Sequence, residues 1–273
     1  MDYYTGRVVA ITGASAGIGR ALAVALAQAG ARLALSGRSR EGLEETRRLC
    51  GTEATVHIDQ VDVTDQTAVH DYATAVAQEL NGVDALIASA GVIHVGGLAS
   101  SEIDDIRRVM EVDYYGVVHT AQAFLPHLVA SGRGNLVTLS SGLGLVGMAS
   151  HTAYCAAKFA VRGFTEALRA EMRVTRQPVT VTCVYPGGVR TKIMETGTYS
   201  VDASCEKVTA AFDRYVVRTE PEVCAAAILR GVAKGKGQVM VGPDAHAVGL
   251  AARLAGPGIE RWIGPLQRRF APR

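Results

Sequence analysis

Short apolar runs alternate with longer stretches of helical periodicity along most of the chain. The run RVVAIT, for example, is followed by RALAVALAQAG, in which apolar residues recur every three or four positions. We predict strands at residues 7–12, 32–36, 54–60, 83–88, 134–140, 178–184 and 237–241. Strands that alternate with helices through right-handed crossovers form a parallel, doubly wound sheet between two helical layers. The predicted fold is therefore a three-layer α/β fold that binds ligands beyond the carboxyl ends of its strands.

Composition agrees with one large domain. The chain has 273 residues, 48% of them apolar, which is enough to bury a sheet on both faces. Its net charge of +2 is not gathered into basic blocks, so we expect no nucleic-acid partner. The five cysteines lack Cys-x-x-Cys spacing, and we expect neither a disulfide framework nor a metal site. No apolar leader precedes the first strand, which leads us to expect a cytoplasmic protein.

The turn TGASAGIG lies between the first predicted strand and the first predicted helix. Gly13, Gly17 and Gly19 allow the backbone to approach a pyrophosphate, and the amides and dipole of the helix start favour negative charge. The spacing differs from the Gly-x-Gly-x-x-Gly of other dinucleotide folds, and a glycine-rich turn can also serve only to pack a helix on a strand. The turn by itself leaves both interpretations open.

A second pattern places a proton donor beside a cation. Tyr154 and Lys158 are four residues apart in a predicted helix, so their side chains share one face, and Ser141 lies a short distance before them. A hydroxyl and an ammonium in one cleft can protonate a carbonyl oxygen. Tyr and Lys at this spacing also occur on solvated helix faces, so this pair alone is not decisive.

Five motifs nevertheless occur together and in order: TGASAGIG at 12–19, DVT at 62–64, ASAG at 88–91, Ser141 with Tyr154 and Lys158, and YPGGVRT at 185–191. Together they resemble the motifs of the short-chain dehydrogenase/reductase family over about residues 5–242. The resemblance implies an oxidoreductase with a Rossmann-like sheet of seven strands in the order 3-2-1-4-5-6-7. We expect one domain over residues 1–242 and a tail, 243–273, that packs on this domain or on a second subunit.

The resemblance also implies roles for individual residues. Tyr154 would be the general acid and base, and Ser141 would donate a hydrogen bond to the substrate oxygen. Lys158, together with the positive charge of the nicotinamide, would lower the pKa of Tyr154 and would also hold the nicotinamide ribose. Asp62 and Val63 would contact the adenine. The other implied cofactor-binding residues are Gly13, Ser15, Gly17, Ile18, Gly19, Ala90, Gly91, Pro186, Gly187, Val189 and Thr191.

The end of the second strand bears on the choice of cofactor. Gly37 stands where an acidic residue would bind both ribose hydroxyls and select NAD. Arg38 follows with a planar guanidinium suited to a 2′-phosphate, and Ser39 and Arg40 can add donors. We therefore expect NADP(H) in preference to NAD(H). The alternative is that Arg38 is a solvated loop residue.

Asp113 departs from the family pattern, which has an Asn in the long helix that starts near Ser101. In relatives this Asn helps to kink the helix and exposes a carbonyl that holds a water next to the catalytic Lys. We expect Asp113 to keep this backbone relay role with its side chain turned toward solvent. A carboxylate that faces Lys158 is the alternative.

The expected substrate pocket is mostly apolar and contains no arginine. Its candidate residues are His94, Leu143, Met148, His151, Gly188, Met194 and Tyr199. This composition favours a neutral or largely apolar ketone or alcohol as substrate. Residues 192–218 are expected to form a mobile lid over it.

Family resemblance further implies a homodimer or homotetramer, joined through the segment 101–130 and the Tyr154 helix. An alternative for the tail is contact with a membrane surface through Trp262, Ile263, Leu266 and Phe270, although Gly and Pro interrupt any long helix there. Two other functions are alternatives. A nucleotide-sugar epimerase or dehydratase usually has a longer chain, and an NADPH-binding sensor or scaffold without turnover needs no proton donor.

Overall fold

The computed structural model describes residues 2–258 of the chain. Its strands are β1 (Val8–Thr12), β2 (Arg32–Gly37), β3 (Val56–Gln60), β4 (Ala85–Ala88), β5 (His94–Val95), β6 (Gly134–Leu139), β7 (Val179–Pro186), β8 (Thr198–Tyr199) and β9 (Gln238–Val241). Seven of them form one parallel sheet in the order β3-β2-β1-β4-β6-β7-β9. The predicted strands and their order are therefore confirmed. The β5–β8 pair was not predicted, because two-residue strands leave no periodicity in the sequence.

Helices occupy the connections between the strands. They are α1 (Gly17–Gln28), α2 (Arg40–Cys50), α3 (Gln66–Glu79), α4 (Ile103–Met110), α5 (Gly116–Ala130), α6 (Thr152–Val174), α7 (Cys205–Tyr215), α8 (Pro221–Ala233) and α9 (Pro243–Ala255). A π-helical turn, Glu111–Tyr115, joins α4 to α5. Within the described residues, no helix combines the length and hydrophobicity needed to span a bilayer. The tail residues Trp262, Ile263, Leu266 and Phe270 lie outside the described part of the chain.

Two apolar cores cover the two faces of the sheet. In β1, Val9 and Ile11 pack in one core with residues of α1, α2 and α8. Val8 and Ala10 point the other way and pack in the second core with residues of α3, α5 and α6. Because side chains alternate along a strand, a continuous apolar run such as β1 is suited to burial on both faces. The sheet is thus a rigid base for the loops at its edges.

The carboxyl ends of the strands meet at one edge of the sheet. The segments that follow β1, β2, β3, β4, β6 and β7 all lie there, together with residues from the segment 192–218. This segment contains β8 and α7. It is tied to the body of the domain by His94, whose Nδ1 lies 2.8 Å from Thr198 Oγ1. Every motif found in the sequence lies at this edge.

Candidate active site

A cavity of about 1320 Å³ opens at the carboxyl edge of the sheet. A pocket for one drug-sized ligand is usually about 300–1,000 Å³, so this cavity has room for a dinucleotide and a small substrate side by side. Among the described residues, no group of three or more His, Cys, Asp or Glu side chains is placed to hold a metal ion.

The glycine-rich turn forms one wall of the cavity. Gly13 has a φ of 65° and Gly17 a φ of 53°, both in the left-handed region that favours glycine. A Cβ at Gly13 would lie 2.7 Å from the Ala90 backbone, and one at Gly19 would lie 2.3 Å from the Gly13 carbonyl oxygen. Helix α1 then starts at Gly17, and its N-cap residue, Ala16, makes no side-chain cap. Its first amides are left for an anion, which fits a cofactor diphosphate.

The predicted binding site for the adenosine part of the cofactor lies where β2 and β3 end. Arg38 is exposed and lines the cavity, as do Gly37 and Asp62. A Cβ at Gly37 would lie 3.3 Å from Ser15 Oγ, so an acidic side chain would press on the glycine-rich turn. Asp62 Oδ1 accepts hydrogen bonds from the amide and the hydroxyl of Thr64, which fixes its carboxylate at the cavity wall.

Two other residues at this end have structural partners. Ser39 Oγ accepts the amide of Gly42 at 3.0 Å and caps α2, which leaves its hydroxyl hydrogen to donate. Asp65 caps α3 by accepting the amide of Ala68 at 2.9 Å. Because Asp65 serves as the cap, Asp62 is not needed for that purpose. This arrangement supports its predicted place at the adenine.

Ser141, Tyr154 and Lys158 come together at the centre of the cavity. Tyr154 and Lys158 lie one turn apart on α6, with the ammonium 5.5 Å from the centre of the tyrosine ring. Lys158 Nζ donates to the Leu139 carbonyl at the end of β6, over 3.1 Å. The Ser141 side chain acts on the Tyr154 hydroxyl by lowering its pKa, and Ser141 Oγ accepts the Leu143 amide at 3.1 Å. The three side chains predicted to act together are therefore adjacent.

The pKa of Tyr154 is set by opposing influences of the protein. Burial raises it, the Lys158 ammonium lowers it as expected, and the Asp113 carboxylate raises it again, with a net rise above the ordinary value. The lowering by Lys158 is outweighed because the hydroxyl is almost fully buried and a buried phenolate is poorly solvated. The hydroxyl therefore stays protonated at neutral pH.

Asp113 differs from the prediction. Its side chain is 0% exposed, whereas we expected it to turn toward solvent. Oδ2 lies 3.0 Å from Lys158 Nζ, and Oδ1 accepts the Val92 amide at 2.7 Å. The helix does deviate at this residue, since Asp113 lies within the π-helical turn between α4 and α5. An extra residue in one turn rotates the helix face, which carries the side chain into the protein.

The structure places some of the predicted substrate residues at the cavity and others away from it. Leu143, Met148, His151, Gly188 and Met194 line the cavity. His94 and Tyr199 do not, because both belong to the β5–β8 pair. The imidazole of His94 lies 2.8 Å from both Thr198 Oγ1 and Ser101 Oγ, and the hydroxyl of Tyr199 donates to the Met194 carbonyl. His151 is buried, and this burial lowers its pKa.

Several cavity residues were missed in the sequence. On α7, Val208 and Phe212 line the cavity at a spacing of one helical turn, a signal that periodicity could have revealed. Lys192, Lys207 and Arg218 also line it as exposed residues, whereas the predicted substrate residues include no lysine or arginine. All three cations lie within the predicted lid, residues 192–218. The local sequence pattern does not reveal how this segment crosses the cavity.

Asp244 on α9 is a further residue that the sequence did not reveal. Its Oδ2 accepts the Gly188 amide at 2.6 Å, in the loop that follows β7. A Cβ at Gly187 would lie 2.1 Å from both carboxylate oxygens. In the same loop, the Thr191 methyl would lie 3.2 Å from a Cβ at Gly17, so this loop meets the glycine-rich turn. Asp244 therefore fixes the backbone of the predicted nicotinamide loop.

Comparison with known proteins agrees with this geometry. The family model described as short chain dehydrogenase matches residues 7–199. SadH of Mycobacterium tuberculosis is 43% identical over 273 residues, which cover 100% of this chain and 99% of SadH. A short chain dehydrogenase/reductase from Burkholderia phymatum, in complex with NAD, has a TM-score of 0.85 at 26% identity and covers 100% of this chain and 98% of its own.

A third similar protein is an alcohol dehydrogenase from the archaeon Thermococcus sibiricus, complexed with 5-hydroxy-NADP. Its TM-score is 0.74 at 26% identity, over 86% of this chain and 95% of its own. The family match extends over most of the chain, and the fold brings the glycine-rich turn and the Tyr154 helix to one cavity. The chain thus belongs to the short-chain dehydrogenase/reductase family, whose members are oxidoreductases that bind a nicotinamide cofactor.

Proposed function

We propose that the protein interconverts a ketone and a secondary alcohol on a neutral or largely apolar small molecule, with NADP(H) as its cofactor. The observation that carries the proposal is the convergence of Ser141, Tyr154 and Lys158 on the cavity into which the glycine-rich turn also opens. A nicotinamide bound along this edge supplies or accepts the hydride. The protein must then supply or accept the proton.

Tyr154 is placed to perform the proton transfer. During reduction its hydroxyl gives a proton to the carbonyl oxygen, and during oxidation the phenolate takes one from the alcohol. Its raised pKa keeps it protonated at neutral pH, as donation requires. Ser141 Oγ accepts the Leu143 amide, so its own hydrogen is directed elsewhere and can stabilise negative charge on the substrate oxygen. Lys158 lies beside the ring and favours the phenolate when it forms.

Support for NADP(H) comes from the adenosine end. Gly37 leaves no carboxylate for the ribose hydroxyls, and the exposed Arg38 guanidinium at the cavity can pair with a 2′-phosphate. The two similar structures carry NAD and 5-hydroxy-NADP respectively, so the fold accommodates both kinds of cofactor. The preference proposed for this chain therefore depends on Arg38.

The surroundings of Tyr154 support an apolar substrate. Tyr154 packs in an apolar cluster that includes Met194, Leu143 and Phe212. An ionised substrate group would lose its hydration against these side chains. Lys192, Lys207 and Arg218 are exposed, in contrast to the buried Tyr154. A neutral ketone next to Tyr154 is the substrate that this lining fits.

The test is the loss of NADPH absorbance in the presence of a panel of ketones, neutral and carboxylated, with Tyr154→Phe as the matched control. Oxidation of NADPH by neutral ketones that is lost in the variant would support the proposal. A preference for carboxylated ketones would contradict the substrate class. Tight NADPH binding without turnover of any ketone would instead favour the sensor or scaffold.

A further inference from the structure

Asp113 and Lys158 form an ion pair inside the protein. Their side chains are 0% and 5% exposed, and Oδ2 lies 3.0 Å from Nζ. The second carboxylate oxygen accepts the Val92 amide at 2.7 Å, and Lys158 also donates to the Leu139 carbonyl at 3.1 Å. Both charged groups are thus held by backbone partners as well as by each other. Gly91 lies beside them, since a Cβ there would be 3.4 Å from Asp113 Oδ2 and 3.5 Å from Lys158 Nζ.

The contacts of the pair favour its ionised form. Burial raises the pKa of Asp113 above its ordinary value, although the Lys158 ammonium and the Val92 amide act in the opposite direction. Burial would lower the pKa of Lys158, yet Asp113 and Tyr154 outweigh it and the net pKa is raised. Neutralising either partner would leave the other charge buried without compensation, which costs far more than keeping both. A carboxylate and an ammonium therefore lie together behind Tyr154.

Other ionisable groups near Tyr154 do not replace this carboxylate. Cys155 adjoins Tyr154 on α6, and Cys183 of β7 faces Lys158; burial raises the pKa of both thiols, so both stay neutral. Helix α4 packs against α6, and its charged side chains are exposed except for the half-buried Asp105. The Asp105 carboxylate faces another group, because its Oδ2 lies 3.7 Å from His94 Nδ1. Asp113 is thus the carboxylate that acts on Tyr154 among the described residues.

We propose that Asp113 is a positioning residue that acts through Lys158: its carboxylate cancels the ammonium charge, so the proton is retained on Tyr154 and the site is set for donation to a carbonyl. With a neutral residue at this position, ionised Tyr154 and Lys158 would form a pair with no net charge. With Asp113, the same ionisation leaves one buried negative charge in excess. That charge makes loss of the proton less favourable. The proposal rests on the proposed function only in taking Tyr154 as the proton donor.

Titration of Tyr154 in the substrate-free protein tests this inference. Tyrosine rings are labelled with carbon-13, and the Tyr154 signal is identified by its absence in Tyr154→Phe. In Asp113→Asn we expect Tyr154 to ionise at a pH about one unit or more below that of the unsubstituted protein. Asp113→Ser removes the same charge with a smaller side chain and should shift the midpoint of the Tyr154 titration in the same direction. This second variant keeps the test available if Asp113→Asn does not fold.

Glu111→Gln is the matched control. Glu111 lies on the same π-helical turn but is exposed, so its loss should leave the Tyr154 midpoint unchanged. Equal midpoints in Asp113→Asn and the unsubstituted protein, or no ionisation of Tyr154 in either before unfolding, would overturn the inference. The proposed function is tested separately and fails if Tyr154→Phe retains turnover. The titration needs no substrate, so its outcome does not depend on that test.

Discussion

The Tyr154 hydroxyl is the group on which the proposed reaction depends most directly. Tyr154→Phe removes it while the ring keeps its place in the apolar cluster with Met194 and Phe212. We expect ketone reduction to fall on the order of 100-fold or more, because a positioned acid contributes at least that much. NADPH affinity and thermal unfolding should remain nearly unchanged, which separates lost chemistry from lost structure. Near-normal reduction by this variant would show that another group donates the proton.

Arg38 is the residue on which the choice of cofactor depends. Arg38→Asp replaces the cation with a carboxylate that repels a 2′-phosphate and can bind ribose hydroxyls. We expect NADPH affinity to fall at least about tenfold relative to NADH affinity, a change of roughly 1.4 kcal/mol. Arg40→Asp is the control, because Arg40 pairs with Glu44 at 3.1 Å and does not line the cavity. An unchanged ratio of the two affinities in Arg38→Asp would remove the proposed phosphate contact.

At the scale of elements, the π-helical turn and the loop after β7 determine the shape of the site. The turn Glu111–Tyr115 directs Asp113 inward, and α5 then begins at Gly116. A Cβ at Gly116 would lie 2.5 Å from a Val63 methyl. Glycine there lets α5 pack closely on the segment that follows β3. One irregular turn therefore places Asp113 beside Lys158 and also lets α5 pack near the predicted adenine site.

Gly187→Ala tests how α9 holds the loop after β7. The new Cβ would meet the Asp244 carboxylate, so the loop or the helix must move. We expect a loss of about 1–3 kcal/mol in stability, as for other overpacked sites, together with weaker NADPH binding. Thermal unfolding and an NADPH titration measure the two effects.

Asp244→Ala in the Gly187→Ala background should recover part of the NADPH affinity, since it removes the atoms that clash. Gly163→Ala is the control, because nothing lies within 4 Å of a Cβ at this position in α6. If the double variant binds NADPH no better than Gly187→Ala, the carboxylate is not the cause of the defect.

At the scale of the whole molecule, apolar side chains remain exposed on the elements predicted to join subunits. Ile103 on α4 is 55% exposed, Tyr115 on the π-helical turn 45% and Phe159 on α6 41%. We propose a homodimer or homotetramer that covers them. A stable, two-fold contact of this kind buries at least about 1,000 Å². It would also hold α6, which carries Tyr154 and Lys158, against a partner.

Light scattering at micromolar concentration measures the assembly directly, and we expect a mass of at least twice the 28.7 kDa chain. Tyr115→Glu places a charge in the proposed contact and should increase the monomer fraction. Val223→Glu, at a 58% exposed position on α8, should not. A 28.7 kDa species as the sole form of the unsubstituted protein would refute the proposed assembly.

The sequence alone determined the sheet and the positions of the motifs around the cavity. A strand such as Val8–Thr12 is continuously apolar because both faces of the sheet are buried, so its sequence predicts its place in the fold. Gly13 and Gly19 leave no room for a Cβ, which makes the glycine-rich turn visible as a motif. Tyr154 and Lys158 meet because helical spacing places them together. In each case the constraint can be recognised from a few neighbouring residues of the sequence, even where the contacting segment is distant, as Ala90 is from Gly13.

The tertiary structure decided what depends on contacts between distant segments. Asp113 could face solvent or Lys158, and only the π-helical turn packed against α6 buries its carboxylate at 3.0 Å from the ammonium. His94 was expected at the substrate but binds Thr198, because β5 and β8 pair. Asp244 reaches Gly188 from α9, beyond the family motifs. Such side chains have several possible partners in the sequence, and packing of the whole chain selects one of them.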